Sequence, residues 1–157
     1  MPKTITLFVS TAAVVLAPAW APAWTPAWTR AQAHASPEDC DGDAVVGRFR
    51  RVGSGASFKH KGREVELQNE SALDTYSRAE IKSGRQSGDL VWIDRSRRRF
   101  SLLDHGVFPH EVAASEGWKQ CGPFSGKRTQ SVINSVFAAR ACARIAGESK
   151  CGAWYVD

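Results

Sequence analysis

Between Lys3 and Arg30 the 157-residue sequence has no charged side chain. It has no two cysteines spaced as C-x-x-C, which removes the usual ligand spacing of a structural zinc site. It has no H-E-x-x-H either, and Pro109 opposes a helix at His110-Glu111, where a zincin would need one. The G-x-S-x-G nucleophile elbow is missing, because the serine of GRQSG (84–88) sits one place late. CGPFSGKR (121–128) is one residue short of a phosphate loop, and Arg128 stands where that loop needs a hydroxyl. Asp39, Asp41 and Asp43 alternate as in a calcium loop, but Ala44 and Arg50 occupy the positions that need Gly and Glu. These absences lead us to expect no metal, no cofactor and no catalytic signature.

What is present starts with a leader. Lys3 precedes the apolar run Ile5–Leu16, and Ala33-His34-Ala35 is a small-x-small cleavage site. The uncharged stretch 4–29 is nominally long enough to span a bilayer. However, Pro18, Pro22 and Pro26 each remove a helix hydrogen bond, so the unbroken helical part is too short. We therefore read 1–35 as a secretory signal peptide, with no membrane span after processing. The threefold Pro-Ala-Trp repeat, with Trp20, Trp24 and Trp28, lies in the part that cleavage discards. Cys40 follows Pro37-Glu38-Asp39 and not a small-residue site, which argues against a lipid anchor.

Residues 36–157 then make one domain, large enough for a real core and small enough to gain from cross-links. Removing Lys3 and Arg30 leaves 19 basic against 16 acidic residues, a net +3. That is too mild to indicate specific nucleic-acid binding. Cys40, Cys121, Cys142 and Cys151 all lie beyond the leader, and an even count there reads as two disulfides. Three pairings are open. Cys142 and Cys151 lie on two apolar runs joined by a short polar loop, so the spacing favours a hairpin staple, leaving Cys40 with Cys121.

Strand patterns dominate the rest. REVELQNE (63–70) and TYSRAEIKS (75–83) alternate, and DLVWIDRS (89–96) is rich in β-branched and aromatic residues between turn signals. RFSLLDHGVF (99–108) is read as a return strand pairing with DLVWIDRS, and GSGASFKHKG (53–62) as a loop. The spacing predicts an all-β fold: a small, disulfide-stapled β-sandwich, immunoglobulin-like or related, of six to eight strands. The segment 130–146 also fits helical spacing, so an α+β fold with a helix there is the alternative.

Candidate site residues are few. Arg95, Arg97, Arg98 and Arg99 form the densest charge and suit a polyanion such as teichoic acid, an acidic glycan or, through charge alone, nucleic acid. Lys59, Lys61 and Arg63 would add to it if the two loops share one end of the domain. Among Trp92, Trp118 and Trp154, Trp154 beside Tyr155 is the surface candidate for sugar stacking. His105 and His110, near Asp104 and Glu111, are the only candidates for acid–base chemistry.

Three stretches occur together and in order: GDLVWIDRS (88–96), ARACARI (139–145) and CGAW (151–154). They resemble small secreted actinobacterial proteins of uncharacterised function that share a G-D-x-V-W-x-D-R-S strand, an R-A-C and a C-x-x-W ending. The resemblance covers the chain from Leu73 onward. It implies a compact secreted β-rich domain with a disulfide near its C-terminus, and strand over helix at 135–145. It carries no catalytic residues. This chain departs from it at RRRF (97–100) and at Arg78, where those proteins have Asp/Gly-rich sequence and Trp.

The resulting expectation is a secreted or extracellular, cell-wall-associated monomer, for which a non-enzymatic role is expected ahead of catalysis. It is a binding or envelope-associated protein whose partner is an anionic cell-envelope polymer or an extracellular protein. A protease inhibitor or toxin-like effector, presenting Lys127-Arg128, is the first alternative. A small secreted hydrolase using His105 and His110 is the second.

Overall fold

The computed structural model describes residues 35–36, 39–42, 47–53, 55–72, 75–101, 106–110 and 112–156. These contain twelve strands: β1 (Ala35–Ser36), β2 (Phe49–Arg51), β3 (Phe58–His60), β4 (Arg63–Glu70), β5 (Tyr76–Ser83), β6 (Leu90–Arg99), β7 (Gly106–His110), β8 (Trp118–Phe124), β9 (Val132–Ile133), β10 (Phe137–Ile145), β11 (Glu148–Cys151) and β12 (Trp154–Val156). Among the described residues there is no α-helix, and none that is long and apolar enough to cross a membrane. The rest of the expected leader lies outside the described residues. Ala35 and Ser36 flank the expected cut and pair in parallel with Gln120 and Cys121 of β8.

The strands form two sheets. One has seven strands in the order β1-β8-β6-β10-β12-β7, with β11 also on β10; the other has five, β2-β4-β5-β9, with β3 also on β4. All pairings except β1–β8 are antiparallel. The alternation in β4 and β5 works as its period implies. Val65 lies opposite Ile81 and Leu67 opposite Ala79, and all four are fully buried. They meet Val91 and Ile93 of β6 and Ala139, Ala141, Ala143 and Ile145 of β10 in one core. The alanines of β10 are small, so this strand can lie close across β4 and β5.

Segment 130–146 therefore holds two strands, β9 and β10, and no helix. Its helical spacing is overridden because β10 sits between β6 on one side and β11 and β12 on the other, where alternate residues face two different buried layers. Two hairpins turn through residues in the left-handed region: Lys61 and Gly62 between β3 and β4, and Ala146 and Gly147 between β10 and β11. Positive φ at both central residues is the two-residue turn whose twist matches the flanking strands. The first hairpin corrects the reading of 53–62 as a loop. The expected return strand is also different: 106–110 pairs with β12, while β6 is flanked by β8 and β10.

Both disulfides are formed, Cys40–Cys121 and Cys142–Cys151. Their sequence separations are 81 and 9. In the chain-entropy account these loops stabilise by about 4.5 and about 2.6 kcal/mol. Replacing Cys40 and Cys121 together by Ala is expected to lower unfolding free energy by about 2 kcal/mol more than replacing Cys142 and Cys151, as read by guanidinium denaturation.

Candidate functional site

The arginine run occupies the end of β6, and the strand separates its members. Arg95 follows Val91 and Ile93 on the core face and is only 8% exposed. Its guanidinium lies over the Phe137 ring at 4.2 Å and pairs with Asp41 at 3.5 Å. Arg95 therefore closes the end of the sandwich and is not available to a polymer. This corrects its place in the expected binding surface.

Beyond Arg95 the ladder is irregular. Arg95 is opposite Ala139, yet Arg99 is opposite Phe137, so β6 carries two residues more than β10 across this step. Ser96 fills the gap: its hydroxyl accepts from the Ala138 N–H at 2.9 Å and donates to the Arg98 carbonyl at 2.8 Å. The bulge leaves Arg97, Arg98 and Arg99 exposed. Arg98 bonds Glu116 at 3.0 Å and lies 5.0 Å from the Phe100 ring. Arg99 lies 5.6 Å from the Phe137 ring. The Arg97 stem runs past Gly117, with Cδ 3.5 Å from where a Cβ would stand. No carboxylate among the described residues pairs with Arg97 or Arg99. Lys119 of β8, registered opposite Arg95, is at the same end.

Lys59, Lys61 and Arg63 are at the other end. Arg63 pairs with Asp89 at 3.1 Å, and Lys61 with Glu148 at 2.6 Å, both beside the start of β6. At about 3.3 Å per residue, the length of β6 puts roughly 30 Å between the two basic groups. They do not form one patch.

The second assembly lies on the outer face of the larger sheet, and the sequence reading missed it. Asp94 of β6 points away from the core yet is 1% exposed. Directly opposite it on β10 is Arg140, whose Nε donates to Asp94 Oδ2 at 2.8 Å and whose Nη2 forms an ion pair with the same oxygen, also at 2.8 Å. Trp118 and Trp154 enclose the guanidinium at 4.9 and 4.3 Å and meet edge to face at 6.1 Å. Ala138 and Val156, with Phe100 and Val112 against them, complete this second apolar cluster. Trp154 is 7% exposed, so it packs this layer and does not offer a stacking surface. That corrects its reading as a sugar platform.

Asp94 Oδ1 has no well-aligned hydrogen-bond donor. Burial pushes its carboxyl up to about 6, with Arg140 and then the Trp92 side chain acting the other way. Oδ2 also lies 3.5 Å from Cys142 Sγ. Asp94 and the two sulfurs of Cys142 and Cys151 fall within 4.8 Å of one another, but the sulfurs are bonded to each other and hold no free thiolate for an ion. A charge inside the strongest strand was the one available sign of this site. Its partner, 46 residues away, becomes visible only with the strand register.

The remaining candidates separate. His105, Asp104, Glu111 and Asp43 lie outside the described residues, and His110 sits on β7 in register with Trp154. Asp41 Oδ2 accepts from the Ile133 N–H at 2.9 Å, besides pairing with Arg95. Lys127 and Arg128 are not on a free loop. The Ile81 N–H donates to the Lys127 carbonyl at 2.8 Å, Lys127 Nζ pairs with Glu80 at 3.1 Å, and Arg128 bridges to Glu80. Arg85 also donates to the Ser125 and Gly126 carbonyls. A protease would need those backbone groups for itself.

Two tests address the buried pair. Because the Asp94 carboxyl titrates higher in the folded state than at its ordinary 3.8, its contribution to stability is full below that value and is lost as pH rises through about 6. The stability difference between wild type and Asp94→Asn should therefore shift by about 2 kcal/mol between pH 4 and pH 7, measured by urea unfolding. Arg140→Ala leaves a buried carboxylate without its partner and should destabilise by about 3–5 kcal/mol at pH 7.5.

Compared with known proteins, the chain matches no family model, no curated protein and no solved structure.

Proposed function

We propose that this is a secreted, envelope-associated binding protein that holds an anionic polymer at the end of the sandwich where β6 stops. The observation that carries this reading is the exposed pair Arg97 and Arg99, which no described carboxylate neutralises. Around them, Arg95, Arg98 and Lys119 face only Asp41 and Glu116 as described ion-pair partners, so the region keeps a positive excess. Guanidinium groups suit this role because their planar fork matches phosphate and carboxylate oxygens. Their stems are partly ordered by Gly117 and Phe137, which lowers the entropy lost on binding.

The two disulfides support an oxidising location outside the cytoplasm. The leader-like first 35 residues support export, and the likeness to small secreted actinobacterial proteins agrees with it. The tethering of Lys127 and Arg128 to β5 weighs against the inhibitor reading.

Co-sedimentation of the oxidised protein with purified cell wall tests the proposal. Pelleting at low salt should vanish at high salt. Arg97→Ala/Arg99→Ala should weaken it by roughly tenfold, the effect of two exposed charge contacts worth about 0.7 kcal/mol each. Lys59→Ala/Lys61→Ala, at the far end, should leave it unchanged. Wild-type protein remaining in the supernatant at both salts would sink the proposal.

A further inference from the structure

The staple between Cys142 and Cys151 is placed where the fold needs it least. These residues are directly opposite each other on β10 and β11. The hairpin is already set by its turn and by three further pairs, Ala143 with Lys150, Arg144 with Ser149 and Ile145 with Glu148. Its exit is fixed as well. The Gly152 N–H donates to the Ala141 carbonyl, and the Ala153 N–H to the Gly55 carbonyl, both at 2.9 Å. A Cβ on Gly152 would stand 2.3 Å from the Ala56 carbonyl oxygen, so only glycine allows this approach. Opening the disulfide therefore leaves the hairpin held by hydrogen bonds and packing.

The two sulfurs are also unlike. Cys142 is fully buried, whereas Cys151 is partly exposed. The buried sulfur is the one beside Asp94, with Oδ2 at 3.5 Å. The carboxylate that pairs with Arg140 across the two strands is thereby held, buried, against this sulfur and not against Cys151 at the surface.

We propose that Cys142–Cys151 is a reversible dithiol/disulfide redox pair that exchanges two electrons with a dithiol, and that Asp94 holds the proton for Cys142. In the reducing direction a thiolate of the dithiol attacks Cys151 Sγ. The Cys142–Cys151 bond breaks as a mixed disulfide forms on Cys151, and its electron pair leaves on Cys142 Sγ. The proton on Asp94 passes to that sulfur. The second thiolate of the dithiol then attacks its own half of the mixed disulfide and releases Cys151, which takes up a proton from water. The dithiol ends as a disulfide and the protein as a dithiol, with two electrons transferred. In the reverse direction the Asp94 carboxylate takes the Cys142 proton, so that the thiolate can attack.

The charged groups around Asp94 set the direction of the pH effect. Arg140 on β10 is in contact with it. Farther along β6 and β10 are Arg98, paired with Glu116, and Arg144 beyond Cys142. On β8 the opposite residue is the neutral Gln120, and on β7 His110 is registered against Trp154. An ionised Asp94 beside a Cys142 thiolate places two negative charges against one nearby guanidinium. A protonated Asp94 removes that conflict, so opening is faster below about pH 6.

The test treats the oxidised protein with dithiothreitol from pH 5 to pH 8, quenches with iodoacetamide and maps both cysteine pairs by peptide mass. Each rate is divided by the rate for oxidised glutathione under the same conditions, so that ionisation of the reductant cancels. Cys142–Cys151 should open while Cys40–Cys121 stays closed and tryptophan emission stays native. The normalised rate should fall about tenfold as pH rises through 6, and Asp94→Asn should abolish that fall. Opening of Cys142–Cys151 only together with Cys40–Cys121, on global unfolding, overturns the proposal. A normalised wild-type rate that is flat in pH does the same. Both of these readouts use the wild-type chain alone, so a misfolded Asp94→Asn variant does not remove the test.

Discussion

The pairing of Asp94 with Arg140 is the constraint around which the larger sheet is arranged. Two opposite charges in register on neighbouring strands leave no freedom for slippage, because a shift of one residue would put either charge into the alanine-lined core. The pair also explains the second apolar layer. A buried guanidinium needs a low-polarity cover that still favours positive charge, and the faces of Trp118 and Trp154 provide it. With that cover in place both faces of β10 are buried, one under the small sheet and one under the tryptophans. A strand so enclosed is selected for small side chains, which is why it reads as a run of alanines.

How far the sequence reveals this depends on the range of each interaction. Alternation in β4 and β5 is a local property, and so are the turn signals around β6. The all-β sandwich and the strand in 137–145 were accordingly legible, and the cysteine spacing pointed to the hairpin staple. Partner choice between strands is not local. Segment 106–110 has the right composition to pair with β6, yet it pairs with β12 because β8 and β10 already occupy both edges of β6. The arginine run shows the same limit at the level of single residues. Four arginines in six positions look alike in one dimension, but alternation and a bulge make one a plug for the core and leave three in solvent. Trp154 looked exposed because it stands near the chain end beside Tyr155, and nothing in its neighbourhood announces Arg140.

The two proposed activities lie on different parts of the fold. The cationic end is formed where β6 outruns its neighbour, and it uses long side chains on an irregular backbone. The sulfur pair and its carboxylate sit on the most regular part of the same sheet, where β6, β10 and β11 run side by side. Positions that must hold a geometry are placed on rigid strands, while positions that meet a variable polymer are placed where the ladder loosens.

The disulfide between Cys40 and Cys121 has a mechanical consequence. Covalent closure over residues 40–121 makes everything between them a closed ring, so a pull along the chain passes from Cys40 directly to Cys121. Strands β2 to β7 are then shielded from tension, which includes all of the five-stranded sheet except β9. The second bond does the same for residues between 142 and 151. The force-bearing path shortens to 121–142 and the last few residues. A domain of this design can be stretched between its ends while most of its strands feel no load.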